Sequence, residues 1–327
     1  MVLRKSLIIM VLAVLVCFAG TPSMAEAANK EVRLGYLVAD QLHGAAFMVM
    51  KENKLLEKLG YTVKWSEYLS GGYLMQDMAA GAIDFGVGGM IPGLITHAQG
   101  INVAILASGN TEGSSIVVGD HIKSIKDLDG KKIGTPGIGT MQDAMVAQVA
   151  ADNNIRIMRM NIKVSDMPLF LQKKEIDGFC AWAPHPARTI ALGYGHQLLT
   201  SSDIVPGHQC CVLMTLLKTL EGNPQLAKDV VKTYLEAYQW FLDNKEEGIA
   251  MVVKVTGMED AVVREAIKSV QYPVPPFCHL PSMRTMAKGL IETDKITTVK
   301  VDQIETFIDG IYHPALVEEM TGEKAPR

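Results

Sequence analysis

The chain has 327 residues and is 20% charged, with 31 Lys and Arg against 35 Asp and Glu and a formal charge of −4 at pH 7. That near balance, without any basic run, excludes a surface built for nucleic acid or anionic lipid. Residues 28–327 suffice for two domains of ordinary size, each with its own core.

Arg4 and Lys5 form a short positive region, Ser6 to Gly20 carry no charge, and Ala25-Glu26-Ala27 supplies small residues in an A-x-A pattern. This is the build of a secretory signal peptide over residues 1–27, cleaved near Ala25 or Ala27. The apolar run is short for a membrane span, which takes about 20 residues. Val16 before Cys17 does not suit a lipoprotein signal. The mature chain is therefore expected to be released, soluble, into the periplasm.

From residue 31 the chain alternates strand and helix signals. Strands are expected at 31–37, 62–69, 83–87 and 102–107, separated by helices at 44–59, 71–80 and 91–98. A second series follows, with strands at 116–119, 132–134, 161–164, 178–181 and 197–200. Such alternation predicts an α/β fold of parallel sheets with helices on both faces. The last third is helical. Asn223-Pro224 reads as an N-cap followed by proline at the first helical position, and Leu226, Val230, Tyr234 and Phe241 then keep one face at helical spacing. Further faces are Val262, Val263, Ala266, Ile267 and Val270, and Ile304, Phe307, Ile308 and Ile311. No repeat, low-complexity tract or long linker interrupts the chain.

Ser70-Gly71-Gly72, the helix after it and Gly81-Ala82-Ile83-Asp84-Phe85-Gly86-Val87-Gly88-Gly89 resemble the nitrate/sulfonate/taurine group of periplasmic binding proteins. So do Ile125-Lys126-Asp127-Leu128-Asp129-Gly130-Lys131-Lys132-Ile133-Gly134, and Glu175-Ile176-Asp177-Gly178 leading to Ala181-Trp182-Ala183-Pro184. The resemblance runs from about residue 31 to 245 and lies in the order and spacing of these pieces. It implies a two-lobed type II periplasmic binding fold with a helical C-terminal tail. Lobe 1 is expected at 28–114 plus 212–327 and lobe 2 at 115–211. It further implies a monomeric, non-enzymatic component of an ABC importer. Such a component takes a small-molecule ligand in the cleft and passes it to a permease in the inner membrane. Ala183 stands where the group often has Glu before the proline, so the substrate class does not carry over.

In α/β sheets of this kind ligands bind beyond the carboxyl ends of strands, where helix N-termini offer free N–H groups. The turns concerned nominate Gln41, His43, Gly71, Gly72, Gly89, Met90, Gly137, Gly139, Thr140, Trp182 and His185 as ligand-binding residues. Glycines there let backbone amides approach a ligand, or simply make tight turns. His43 and His185 suit donation to an anion, ligation of a metal, or a solvated cap. Trp182 suits stacking on a flat ligand or packing the hinge. None of these turns holds Arg or Lys, which tilts the ligand toward a neutral or weakly charged solute.

Gly137-Ile138-Gly139 is not a dinucleotide fingerprint, because Gln142 stands where the third Gly or Ala belongs. No P-loop, H-E-x-x-H or G-x-S-x-G pattern occurs. His208-Gln209-Cys210-Cys211 and Cys278-His279 carry thiols and imidazoles that suit zinc, copper or iron. They lack closed-site spacing, and cysteine is among the most buried residue types. The expectation is packing or redox residues, with no metal and no cofactor. Two other readings remain open on the same fold: a metal or metal-complex binder, and an enzyme akin to the thiamin-pyrimidine synthases of this superfamily.

The mature protein should begin near Glu26 or Ala28. Intact mass of exported protein checks this; retention of residues 1–20, or lipid on Cys17, would contradict it.

Overall fold

The computed structural model describes residues 30–326; the expected signal peptide lies outside them. Among the described residues twelve strands occur in chain order. They are β1 (Glu31–Leu37), β2 (Thr62–Tyr68), β3 (Phe85–Gly89), β4 (Val103–Ser108), β5 (Thr111–Glu112) and β6 (Ser114–Val118), then β7 (Lys132–Thr135), β8 (Met158–Asn161), β9 (Gly178–Trp182), β10 (His196–Thr200), β11 (Cys211–Leu216) and β12 (Val270–Gln271). Two five-stranded sheets result, ordered β2-β1-β3-β11-β4 and β10-β6-β9-β7-β8, with a small β12-β5 ribbon between them. The first sheet takes strands from both ends of the chain and the second only from its middle, so the chain crosses between sheets twice.

Period-two alternation explains how the first sheet is covered. Val103 and Ile105 of β4, with Val212 and Met214 of β11, face Leu74, Met78 and Leu94 from the helices Gly71–Ala79 and Met90–Ala98. Ala104, Leu106 and Leu213 face the opposite way, onto Phe47, Val49, Val230 and Tyr234 of the helices Ala45–Glu52 and Pro224–Asp243. Each fully buried side chain of this size contributes roughly 1.5–3 kcal/mol. No helix among the described residues is long and apolar enough to cross a membrane.

The sheets are not wholly parallel. β11 runs antiparallel to β3 and β4, and β6 runs antiparallel to β9 and β10. These are the strands that each crossover delivers, and a chain entering a sheet from the cleft must run against strands that end there.

Other differences from expectation are local. The helix expected at 44–59 stops at Glu52; Lys54 adopts a positive φ of 51°, and a short 3-10 turn follows at Glu57–Leu59. The strand expected at 161–164 lies at Met158–Asn161. All four of its residues are exposed, so it carries no apolar alternation to read. Val270 belongs to β12, not to a helix face, and pairs with Glu112.

Both crossovers pass through one buried polar knot. Asn110 Nδ2 donates to the carbonyls of Thr111 and Glu112, and its Oδ1 accepts from the Cys211 N–H. Gln209 Nε2 donates to Ser108 Oγ and to the carbonyls of Asn110 and Cys211, while its Oε1 accepts from the His279 N–H. Each buried group left without a partner costs about 1–3 kcal/mol. Gln209→Ala should therefore destabilise the protein by at least about 2 kcal/mol in a urea titration. A loss under about 0.5 kcal/mol, the range of ordinary surface substitutions, would show that the knot is not a source of stability.

Candidate functional site in the inter-sheet cleft

The carboxyl ends of β1, β3 and β4 and the start of β11 meet the carboxyl ends of β7 and β9 and the start of β6 across a narrow cleft. At its base is a cavity of about 20 Å³. Leu37, Asp40, Gly71, Gly89, Pro92, Cys210 and Cys211 line it from the first sheet's side, and Thr140, Met141, Gln142 and Trp182 from the second's. A wider pocket of about 270 Å³ opens outward, with Gly72 on one wall and Gly137, Gly139 and Thr140 on the other.

One carbonyl joins the two walls of the cleft. The carbonyl oxygen of Ala39, just past β1, accepts from Trp182 Nε1 at 3.1 Å and lies 3.0 Å from His185 Nε2. A carbonyl can only accept, so His185 carries its proton on Nε2. Burial pushes its pKa down to about 4, and the Ala39 hydrogen bond only partly offsets this.

Beside the latch lies an ionisable group whose members are far apart in sequence. His43 Nδ1 stands 3.4 Å from Cys210 Sγ and 3.4 Å from Asp40 Oδ1, and Cys211 Sγ donates to Asp40 Oδ2 at 3.4 Å. All four residues are buried, and the four described cysteines are free thiols. Burial raises the Asp40 carboxyl to about 6, although His43 opposes it. Burial alone would lower His43, but Asp40 and Cys210 outweigh it and lift the imidazole to about 9. The hydrogen bond from Cys211, with His43 and His208 nearby, holds Cys210 well below a normal thiol, while Cys211 is raised. Cys180 and Cys278, raised by burial, do not belong to this group.

Gly113 seats the imidazole. Its φ is +92°, and a Cβ there would stand 2.4 Å from His43 Nε2. No side chain fits, so the crossover backbone itself forms the wall behind His43. Nearby, Glu112 accepts from Ser201 Oγ and from the Gly207 N–H and lies 3.3 Å from His208 Nδ1. Burial would raise this carboxylate, but His208 and Ser201 hold it below the usual range.

Of the residues nominated from sequence, Gly71, Gly89, Thr140 and Trp182 line the inner cavity, and Gly72, Gly137 and Gly139 line the outer pocket with Thr140. His43 is in the ionisable group, and His185 is in the latch behind Trp182. Gln41 turns back to the Val38 carbonyl, and Met90 is buried in the core, its N–H donating to the Cys210 carbonyl. Sequence reasoning did not nominate Asp40, Cys210, Cys211, Met141 or Gln142. Asp40 stood in a nominated turn; the cysteines become neighbours of His43 only because β11 enters next to β3, Cys211 opposite Gly89.

Residues 25–256 match the NMT1-like family. The chain belongs to that family. Among similar proteins, the taurine-binding periplasmic protein of Escherichia coli strain K12 is 25% identical over 263 residues, covering 76% of this chain and 81% of that protein. The periplasmic nitrate-binding protein NrtA of Synechocystis PCC 6803 superposes with a TM-score of 0.77 at 17% identity, covering 90% of this chain and 89% of that one. The ligand-binding component of an ABC-type import system from Staphylococcus aureus, solved with zinc bound, gives a TM-score of 0.75 at 19% identity, over 89% of this chain and 98% of that one. The likeness to the solved structures is one of fold: this NMT1-like chain has the two-lobed periplasmic-binding-protein architecture.

The latch implies a pH dependence. His185 is neutral when folded and has a pKa near 4, whereas the unfolded chain protonates its histidine near 6.5. Its contribution to stability is intact above pH 6.5 and falls by up to about 1.4 kcal/mol per pH unit between there and pH 4. His43, with a raised pKa, loses its contribution only above that window. Asp40 contributes a slope of the opposite sign within it, common to wild type and variant. His185→Gln keeps a donor for Ala39 without the titration. Urea melts from pH 6.5 to 4.5 should therefore show a shallower decline for His185→Gln than for wild type; equal slopes would mean that His185 is not held neutral.

Proposed function

We propose that the chain is the extracytoplasmic substrate-binding component of an ABC importer. It captures a small solute between two lobes and presents the closed form to a permease in the inner membrane. The observation that carries this reading is the cavity bounded by strand ends from two separate sheets, with both latch donors of the second sheet's side closing on one carbonyl of the first. Membership of the NMT1-like family and the names of its relatives support it. In this reading the lobes divide at the two crossovers, one between β4 and β6 and the other between β10 and β11. In the same reading the protein works as a monomer in the periplasm and binds without catalysis; the relatives' names speak of binding, and one of them of the periplasm.

Closure couples to a ligand only through contacts that differ between open and closed states. Protein purified natively should carry a small ligand detectable by native mass spectrometry. Stripped by mild denaturation and refolded, it should show a larger radius of gyration in small-angle scattering than the loaded form. Trp182→Ala, which removes a latch donor and a cavity wall, should weaken ligand binding about tenfold or more, roughly 1.4 kcal/mol. Identical scattering from stripped and loaded protein would overturn the proposal.

A further inference from the structure

The ionisable group at the base of the cleft has a donor set that the general reading leaves unused. Three side chains, His43, Cys210 and Cys211, each offer one ligand atom, and these atoms all lie within 4.8 Å of one another, every residue buried. We propose that His43, Cys210 and Cys211 form the cargo site for a thiophilic metal cation, Cu(I) or Zn(II). This rests on the binding-protein reading and names the substrate class of its site.

Four observations carry the proposal. The first is donor type: two sulfurs and one imidazole nitrogen suit soft or borderline cations and disfavour magnesium and calcium, which take oxygen ligands. The second is support. Asp40 contacts both the imidazole and the Cys211 thiol, and its Oδ1 has no hydrogen bond of its own. Such a carboxylate orients ligands from behind or completes a fourth position. The third is orientation: Gly113 fixes the imidazole against the crossover backbone, where any larger residue would displace it.

The fourth is space. The inner cavity measures about 20 Å³ and touches Asp40 and both cysteines. It is small, but room enough for a solvent-sized guest in direct reach of both sulfurs. An ion with a small ligand is on the scale of this inner cavity, and the wider pocket outside it contributes none of the three donors. Thr140, Met141, Gln142 and Trp182 form its lid from the other sheet, so an ion held on the first sheet's side is enclosed by closure.

Simple packing explains the set less well. Buried cysteine is ordinary, but packing gives no reason to gather a carboxylate and an imidazole around two adjacent thiols. A bridge between Cys210 and Cys211 would close a strained ring. The sequence expectation of packing or redox residues weighed spacing along the chain; the fold supplies the third donor from 167 residues away. Binding is ligation, not redox: each sulfur still protonated releases its proton to solvent as its bond to the metal forms.

The test uses the full exported chain, stripped with chelator and kept reduced. It is titrated with Zn²⁺ against a chromophoric chelator and, anaerobically, with Cu(I) against a Cu(I)-selective one. We expect one ion per chain with sub-micromolar affinity for at least one of the two, and sulfur ligation in its X-ray absorption spectrum. Cys210→Ser and Cys211→Ser should each weaken binding at least 100-fold and Asp40→Asn about 10- to 100-fold, while Cys278→Ser leaves it unchanged. Circular dichroism and Tm confirm that each variant is folded, and His43→Gln provides a milder test should a cysteine variant fail to fold.

Absence of micromolar binding to either ion, or binding unchanged in folded Cys210→Ser and Cys211→Ser, overturns the metal site. Scattering separates the two readings. Compaction with metal supports both. Metal binding through these residues without compaction leaves the site and removes the transport reading. Compaction with taurine or nitrate, without metal affinity, leaves transport and overturns the metal site.

Discussion

The knot at the crossovers is the constraint on which the rest of this molecule depends. Two passes of chain, the neck, join the two sheets, and a buried polar network runs through both. Thr111 pairs with Gln209 in an isolated bridge, and the Cys210 N–H donates to the Asn110 carbonyl, so the two passes of the neck are hydrogen-bonded side by side. The side-chain amides of Asn110 and Gln209 satisfy buried backbone groups of both passes. His43, Asp40, Glu112 and His208 are buried near it; Glu112 accepts from Ser201 and the Gly207 N–H, whereas Asp40 Oδ1, His43 Nε2 and both His208 nitrogens have no hydrogen bond among the described residues.

The C-terminal helices restrain the neck rather than trailing from it. Val270 pairs with Glu112 in the β12-β5 ribbon, which ties the tail to the first crossover. Tyr234 in the long helix donates to the Ser108 carbonyl at the end of β4, and Ser282 Oγ accepts from the Gln209 N–H next to the second crossover. The neck is thus braced on two sides.

Much of this fold could be read along the chain because most strands alternate or are closed by glycine and the helices carry one apolar face. β11 was not read as a strand, because Cys211 to Leu216 is buried on both faces and a fully buried run has no period. β8 was misplaced along the chain for the opposite reason, being exposed on both faces. The cleft glycines, Thr140 and Trp182 were legible because strand-to-helix turns mark themselves by local residue type. The cysteines were not: their chemistry depends on β11 inserting between β3 and β4, a non-local pairing that no spacing rule encodes. Asp40 was hidden in plain sight, one residue from the latch carbonyl in a turn already singled out.

That adjacency links recognition to closure. Ala39, whose carbonyl both Trp182 and His185 grip, immediately precedes Asp40, and Asp40 in turn contacts His43 and Cys211. The turn from Leu37 to His43 is short and internally bonded, Gly44 N–H donating to the Asp40 carbonyl and Asp40 N–H to the Leu37 carbonyl. Such a turn cannot reorient Asp40 without also moving Ala39 O. In the proposed reading, an ion held between the cysteines and His43 would fix the position of the carbonyl that Trp182 and His185 grip. A contact of this kind differs between open and closed forms, which is the condition for a ligand to shift the equilibrium between them. A neutral His185 completes the logic: a donor fixed on Nε2 needs that carbonyl where the bound turn holds it.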